Sequence, residues 1–280
     1  MTEVLRGKNV SDKIKEDIVK DVEALKKEGI EPLLKIVRVG AKPNDISYEK
    51  SLIKNSEKLG IIAEVLELPE DITTEGLKLE IESLNRNDKV SGIIIFRPLP
   101  SHIDADVISS TISPKKDVDC MNPLNLAKVF DGDFSGFSPG TPEACMEMLD
   151  FYGVDLEGKN VVIINRTMVL GKPLAMMMLS KNATVTVCHS RTKDLPSITR
   201  EADVVVTALG RAKMFTKDYV GEHSICIDVG VSEDSEGKLS GDLDYANLED
   251  YVKMITPVPG GVGAVTTAVL FKNVVKACKL

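Results

Sequence analysis

Residues 161–192, VVIINRTMVLGKPLAMMMLSKNATVTVCHSRT, constrain the fold more than any other stretch of this chain. A continuous apolar run, Val161–Ile164, turns through Asn165-Arg166-Thr167 into a helix opened by Gly171-Lys172-Pro173. A second β-rich run from Thr184 to His189 ends at Ser190-Arg191-Thr192. Strand, helix and strand within about thirty residues make one βαβ unit, and the crossover requires a parallel sheet.

The rest of the chain repeats that alternation. Asn9–Lys27 spaces Val10, Ile14, Ile18, Val22 and Leu25 as one helical face, with Ser11 as its expected cap. Pro32–Val39, Ile61–Leu66 and Val90–Phe96 are predicted strands, the last stopped by Pro98-Leu99-Pro100. Asp45–Leu59 and Thr74–Asn87 are predicted helices, and Gly60 suits the position just past a helix end. Residues 113–141 are proline- and glycine-rich and read as loop, with Asp131–Gly136 as a hinge-side connection. A helix is expected from Thr141-Pro142-Glu143, with the proline at its first position and a domain boundary near residue 140. Beyond it, Asn160–Ile164, Thr184–His189, Asp203–Ala208 and Ser224–Val229 are strands, Met254–Thr256 is a shorter one, and Ala264–Lys279 is a closing helix. The fold class is α/β, the second domain a Rossmann-like doubly wound parallel sheet.

Composition narrows the function. A net charge of −8 over 280 residues argues against nucleic-acid backbones as partners. No apolar run approaches the roughly 18 residues of a membrane span, and the N-terminus has no signal-peptide core. The five cysteines and three histidines are scattered, so reduced thiols in a cytoplasmic protein are expected and a metal site is not.

A nucleotide cofactor fits the βαβ unit. A helix N-terminus at Gly171 suits phosphate. NAD-binding folds place a carboxylate at the end of the second strand to hold the ribose 2′-hydroxyl. This chain has His189-Ser190-Arg191 there, so Arg166, Ser190 and Arg191 would hold a 2′-phosphate, favouring NADP over NAD. Surface arginines at two loop ends would produce the same pattern. Thr207-Ala208-Leu209-Gly210 and Asp228-Val229-Gly230 close strands at the same sheet edge, where small residues let a nicotinamide ring approach; Asp228 could equally cap a turn.

Several blocks in order extend this reading: Tyr48 with Gly60-Ile61, Pro98-Leu99-Pro100, Lys116-Asp117-Val118-Asp119, Thr141-Pro142, Arg166-Thr167, Gly171-Lys172-Pro173, Cys188–Thr192, Ile227–Gly230 and Thr256–Gly263. Together they resemble the methylenetetrahydrofolate dehydrogenase/methenyltetrahydrofolate cyclohydrolase family. The resemblance implies two α/β domains around a cleft, a homodimer, tetrahydrofolate as substrate and NADP as cofactor. It places the folate on domain 1–140, with helix 264–280 returning to it, and NADP on 141–263. Tyr48 and Asp119 match catalytic positions, and Leu52, Phe96, Pro98, Pro259, Gly260 and Gly261 stand at the remaining substrate positions. The cofactor positions are Asn165, Arg166, Thr167, Ser190, Arg191, Ala208, Gly210, Gly230, Val231 and Thr267.

The chain also departs from the family pattern. The family lysine four residues after the tyrosine is Leu52, and the glutamine before the Pro-Leu-Pro block is Phe96. The family serine is Asp45, the glycine of the cofactor loop is Asn165, the glycine after the Asp119 segment is Cys120, and the last block continues as Ala264-Val265. At about 100° per residue, Leu52 projects roughly 40° from Tyr48, whereas Lys50 and Lys54 project to the far side. Hydride removal from the carbon bridging N5 and N10 needs no proton transfer, and losing a cation beside the cationic product would favour it. Hydrolysis of the methenyl product needs general acid–base help, whose loss typically costs about 10²–10⁴-fold. The expectation is an NADP-dependent dehydrogenase whose cyclohydrolase step is weak or lost. The alternatives are a bifunctional enzyme that recruits Asp45, Lys54 or a water, a non-catalytic folate- or NADP-binding protein, and an unrelated Rossmann oxidoreductase.

Overall fold

The chain begins with a strand that no sequence pattern announced. In the computed structural model, which describes residues 1–280, β1 (Glu3–Val4) pairs in parallel with Met254–Ile255. Two residues are too few to show strand alternation. Residues 1–12 therefore join the unit containing Pro139–Thr266, whereas the sequence reading keeps them with the first domain. The other unit is Lys13–Ser138 with Thr267–Leu280.

The helix α1 (Gly7–Lys27) buries the expected stripe from Val10 to Leu25. It starts ahead of Asn9, so Ser11 lies inside the helix rather than at its cap. Ser11 is buried, and its hydroxyl has no partner. Next come β2 (Leu33–Val39), α2 (Pro43–Leu59), β3 (Ile62–Leu68), α3 (Thr74–Arg86) and β4 (Gly92–Ile95). The strands form a parallel sheet in the order β3-β2-β4. Leu33, Val37 and Val39 of β2 pack with Leu77, Ile81 and Leu84 of α3 and Ile93 and Ile95 of β4. Arg38 of β2 is buried and donates to Glu49 of α2 at 2.6 Å, fixing the rotation of the helix that carries Tyr48. α2 stops at Gly60, whose φ of 71° is left-handed.

One helix lies where the sequence reads as loop, and another lies in the stretch just before it, to which the sequence reading assigns no element. α4 (Ala105–Thr111) is capped by Asp104, and α5 (Pro123–Asp131) by Asn122. Each is too short to display a helical stripe, and their caps were the available signal.

The second unit holds α6 (Gly140–Phe151), β5 (Asn160–Ile164), α7 (Gly171–Leu179), β6 (Thr184–Cys188), α8 (Leu195–Arg200), β7 (Val204–Thr207), β8 (Ile225–Asp228), the hairpin β9 (Ser232–Glu233) and β10 (Leu239–Ser240), α9 (Tyr245–Leu248) and β11 (Met254–Ile255). α6 opens at Gly140, which puts Pro142 at its third position rather than its first. The six-stranded sheet is parallel, in the order β1-β11-β8-β7-β5-β6. The chain leaves β5 first for β6 on one side and then for β7 on the other, the reversal at which doubly wound sheets bind ligands. α10 (Thr266–Ala277) closes the chain; its Asn273 donates to Val118 O at 3.0 Å, tying it to the first unit.

Candidate active site

In the first unit, a cavity of about 210 Å³ opens where β4 ends against α2. It is lined by Asp45, Tyr48, Ile94, Ile95, Phe96, Arg97 and Asp119. Tyr48 and Phe96 face each other with ring centroids 5.3 Å apart. The segment 116–119 divides its labour. Lys116 donates to the carbonyls of Leu84, Asn85 and Asn87 and closes the end of α3. Buried Asp117 accepts from Met121 N, Asn122 N and Asn125 Nδ2, which builds the start of α5, and burial pushes its carboxyl up to about 6. Val118 is core, and Asp119 is left facing the cavity. Cys120 then turns the chain at a φ of 55°, a left-handed conformation in which glycine is the unstrained residue.

Arg97 Nη2 donates to Asp119 Oδ2 at 2.7 Å. Burial pushes the Asp119 carboxyl up, and the charge and hydrogen bond of Arg97 pull it back. Desolvation and the Asp119 charge push the Tyr48 hydroxyl up to about 12, so it stays protonated.

In the second unit, the turn after β5 is built by Asn165. Its Oδ1 accepts from Thr167 N, Thr167 Oγ1 and Gly171 N, and its Nδ2 donates to Ala208 O at 2.8 Å. The helix end is already satisfied: Gly171 N is held by Asn165, Lys172 N by Thr167 O and Leu174 N by Leu170 O, while Pro173 has no N–H. The expected free donors at this helix N-terminus are therefore absent, and an anion here relies on side chains. Those are available. Register pairs Ile164 with Cys188, so Arg166 and Ser190 stand two residues beyond adjacent strand ends. The side chains of Arg166, Ser190 and Arg191 are exposed and make no hydrogen bond or ion pair within the protein. His189 holds that turn, its Nδ1 accepting from Arg191 N and its N–H donating to Thr192 Oγ1.

Two buried carboxylates bind the other strand ends together. Asp228 accepts from Thr207 Oγ1, Gly230 N and Leu243 N; Asp242 accepts from Leu209 N and Arg211 N. A Cβ at Gly230 would lie 2.2 Å from Asp242 Cγ, and one at Gly241 would lie 2.1 Å from Asp228 Oδ2, so each glycine makes room for a carboxylate. Beside them, Thr141, Val231, Pro257–Ala264 and Thr266 line a cavity of about 430 Å³.

Comparison with known proteins decides the family. The tetrahydrofolate dehydrogenase/cyclohydrolase catalytic domain matches residues 5–119, and the NAD(P)-binding domain of the same family matches 139–280. The chain belongs to the tetrahydrofolate dehydrogenase/cyclohydrolase family. It is 53% identical over 279 residues to the bifunctional protein FolD of Clostridium botulinum, covering 100% of this chain and 99% of that one. The crystal structure of the bifunctional FolD methylenetetrahydrofolate dehydrogenase/cyclohydrolase of Campylobacter jejuni superposes with a TM-score of 0.96 at 42% identity, covering 100% and 99% of the two chains. The FolD of Trypanosoma brucei, solved with NADP and an inhibitor, gives 0.91 at 32% identity, covering 99% and 97%.

Set in that family, the expected residues fall into groups. Tyr48, Phe96 and Asp119 meet at the first cavity; Val231, Pro259, Gly260 and Gly261 line the second. Leu52 does not line the first cavity: it is 0% exposed, within the core. Pro98 is exposed beside that cavity without lining it, and Thr266 rather than Thr267 lines the second. Lys50 and Lys54 are exposed, and neither lines the first cavity. Sequence reasoning missed Arg97. Its signal was a charged residue between an apolar strand and a Pro-Leu-Pro stop. It also corrects the expectation that the pocket has lost its cation, because Arg97 supplies one, paired with Asp119.

Proposed function

We propose that this protein oxidises 5,10-methylenetetrahydrofolate to 5,10-methenyltetrahydrofolate with NADP, and that hydrolysis of the methenyl product is its weaker step. The cofactor assignment rests on one observation: two unpaired arginines and a free serine hydroxyl extend beyond adjacent strand ends, with no carboxylate among them. Arg166, Ser190 and Arg191 would hold the 2′-phosphate, a role suited to guanidinium forks. When bound, NADP supplies the hydride acceptor. The chain's own part in that step is positional. Tyr48 and Phe96 offer an aromatic wall to the folate ring, and Asp119 offers a carboxylate to the pterin's amino and ring N–H groups.

The relatives' names favour a bifunctional enzyme over a dehydrogenase alone. The pocket's own residues argue the other way. Leu52 and Phe96 occupy the positions where the family carries a lysine and a glutamine, and neither side chain can move a proton. A cytoplasmic homodimer belongs to the same reading, and light scattering of the purified protein tests the dimer. The deciding experiment is steady-state assay of both activities, each with NADP and NAD. Dehydrogenase turnover preferring NADP, with far slower methenyl hydrolysis, is expected. Hydrolysis at a rate comparable to oxidation would establish the bifunctional reading instead.

A further inference from the structure

Asp119 is the one carboxylate of the first cavity that is held by a cation, and that cation is Arg97. The guanidinium approaches from the end of β4 and takes Oδ2 at 2.7 Å; no donor of the protein takes Oδ1. We propose that Arg97 is a positioning residue for the substrate: it fixes the Asp119 carboxylate and leaves Oδ1 to accept from the amino and ring N–H donors of the bound folate. This rests on the folate reading of the cavity given above.

The physical case is electrostatic. The side chain of Asp119 is only 27% exposed, and burial disfavours its charged form. A protonated carboxyl would lose an acceptor at the position the substrate's donors need. The other charged and titratable groups facing it do not help. Asp45 and Tyr48 from α2 carry no positive charge, Asp117 behind it is also acidic, and Lys42 is engaged by Pro98 O at 3.2 Å. Arg97 alone opposes the burial. The Asp119 carboxyl stays raised on balance, and the guanidinium, charged throughout the working range, biases it toward the ionised form without entering proton transfer itself.

The test is the Arg97→Leu variant, with Arg97→Lys as the charge-keeping control. An arginine beside an aspartate typically lowers its pKa by about one to three units. Removing it should move the acid limb of kcat/KM for methylenetetrahydrofolate up by about one pH unit or more, raise the folate KM about tenfold below that limb, and leave NADP affinity unchanged. Arg97→Lys should restore most of the limb and less of the KM, because it keeps the charge and loses the fork. Carbon-detected NMR titration of the Asp119 carboxyl, assigned with Asp119→Asn, reads the same shift without turnover. If neither variant turns over folate, the proposed reaction is in doubt while the NMR titration still decides the role of Arg97. An Asp119 titration and acid limb that superpose in wild type and Arg97→Leu would overturn the proposal.

Discussion

Gly171 is the residue on which the cofactor turn depends, and replacing it with alanine gives a prediction with opposing terms. A helical Gly→Ala change ordinarily stabilises by about 1 kcal/mol. At this position the new Cβ would lie 1.9 Å from the Asn165 carbonyl oxygen and 2.4 Å from its carbon. Both are backbone atoms, so no rotamer change relieves the clash. Restoring an ordinary contact of about 3.4 Å requires α7 to retreat from β5 by about 1.5 Å, which breaks the 3.2 Å bond from Gly171 N to Asn165 Oδ1. Overpacking of this kind costs about 1–3 kcal/mol, more than the helix propensity returns. We therefore expect Gly171→Ala to lower stability by up to about 2 kcal/mol in urea unfolding. The larger effect should be on binding, because Asn165 also sets Thr167 and the backbone that carries Arg166. Misplacing a binding group by about 1 Å costs up to about 10²-fold. Isothermal titration should show NADP affinity at least tenfold weaker, with folate binding to the first unit unchanged. A variant as stable as wild type, with undiminished NADP affinity, would refute the claim that this glycine sets the turn.

Two further outcomes follow from buried groups. Asp117 and Asp228 are both pushed up to about 6 by burial, so between pH 4 and 6 the folded state binds more protons than the unfolded one, and stability rises as pH falls through that window. The melting temperature should hold or increase from pH 7 to 5, and Asp228→Asn should flatten that dependence; a steady fall in both proteins contradicts the assignment. Returning the family pair with Leu52→Lys and Phe96→Gln should raise methenyl hydrolysis by about 10²-fold or more, whereas Leu52→Lys alone should chiefly lower stability, since a lysine at a fully buried position needs a polar neighbour. An unchanged hydrolysis rate in a folded double variant would sink the proton-transfer argument.

The parallel sheets were legible because their strands are long apolar runs separated by capped amphipathic helices, and Gly60 marked a helix end by its chemistry alone. What escaped the sequence was small or non-local. β1 has two residues, and its partner β11 lies at the far end of the chain. Ser11 looked like a cap, yet the hydrogen bond from Gly7 N to Gly260 O starts the helix earlier, a contact no local pattern reports. At the candidate site, residue types were readable and orientations were not. Projection placed Leu52 on the face of Tyr48, but only packing shows that Leu52 is fully buried while Tyr48 is exposed. The helix N-terminus at Gly171 promised free donors until Asn165, a substitution for the family glycine, consumed one of them.

The departures at the folate pocket also have a joint logic. Removing one member of a buried polar pair strands the other at a cost of about 1–3 kcal/mol, while replacing both with apolar groups can be nearly neutral. Leu52 and Phe96 replace both, and the cavity walls beside them leave no buried polar side chain without a partner. The remaining polar groups of that cavity are Asp45, Tyr48, Arg97 and Asp119. Tyr48, pushed up to about 12, is too weak an acid to lose a proton readily, and the Arg97 guanidinium is engaged by Asp119. Asp119 is held by Arg97 and, in the proposed reaction, by the substrate. Among the side chains lining this cavity, proton transfer for hydrolysis falls to Asp45 or Asp119, so loss of hydrolysis with oxidation retained in Asp45→Asn assigns it to Asp45, and unchanged hydrolysis excludes that residue.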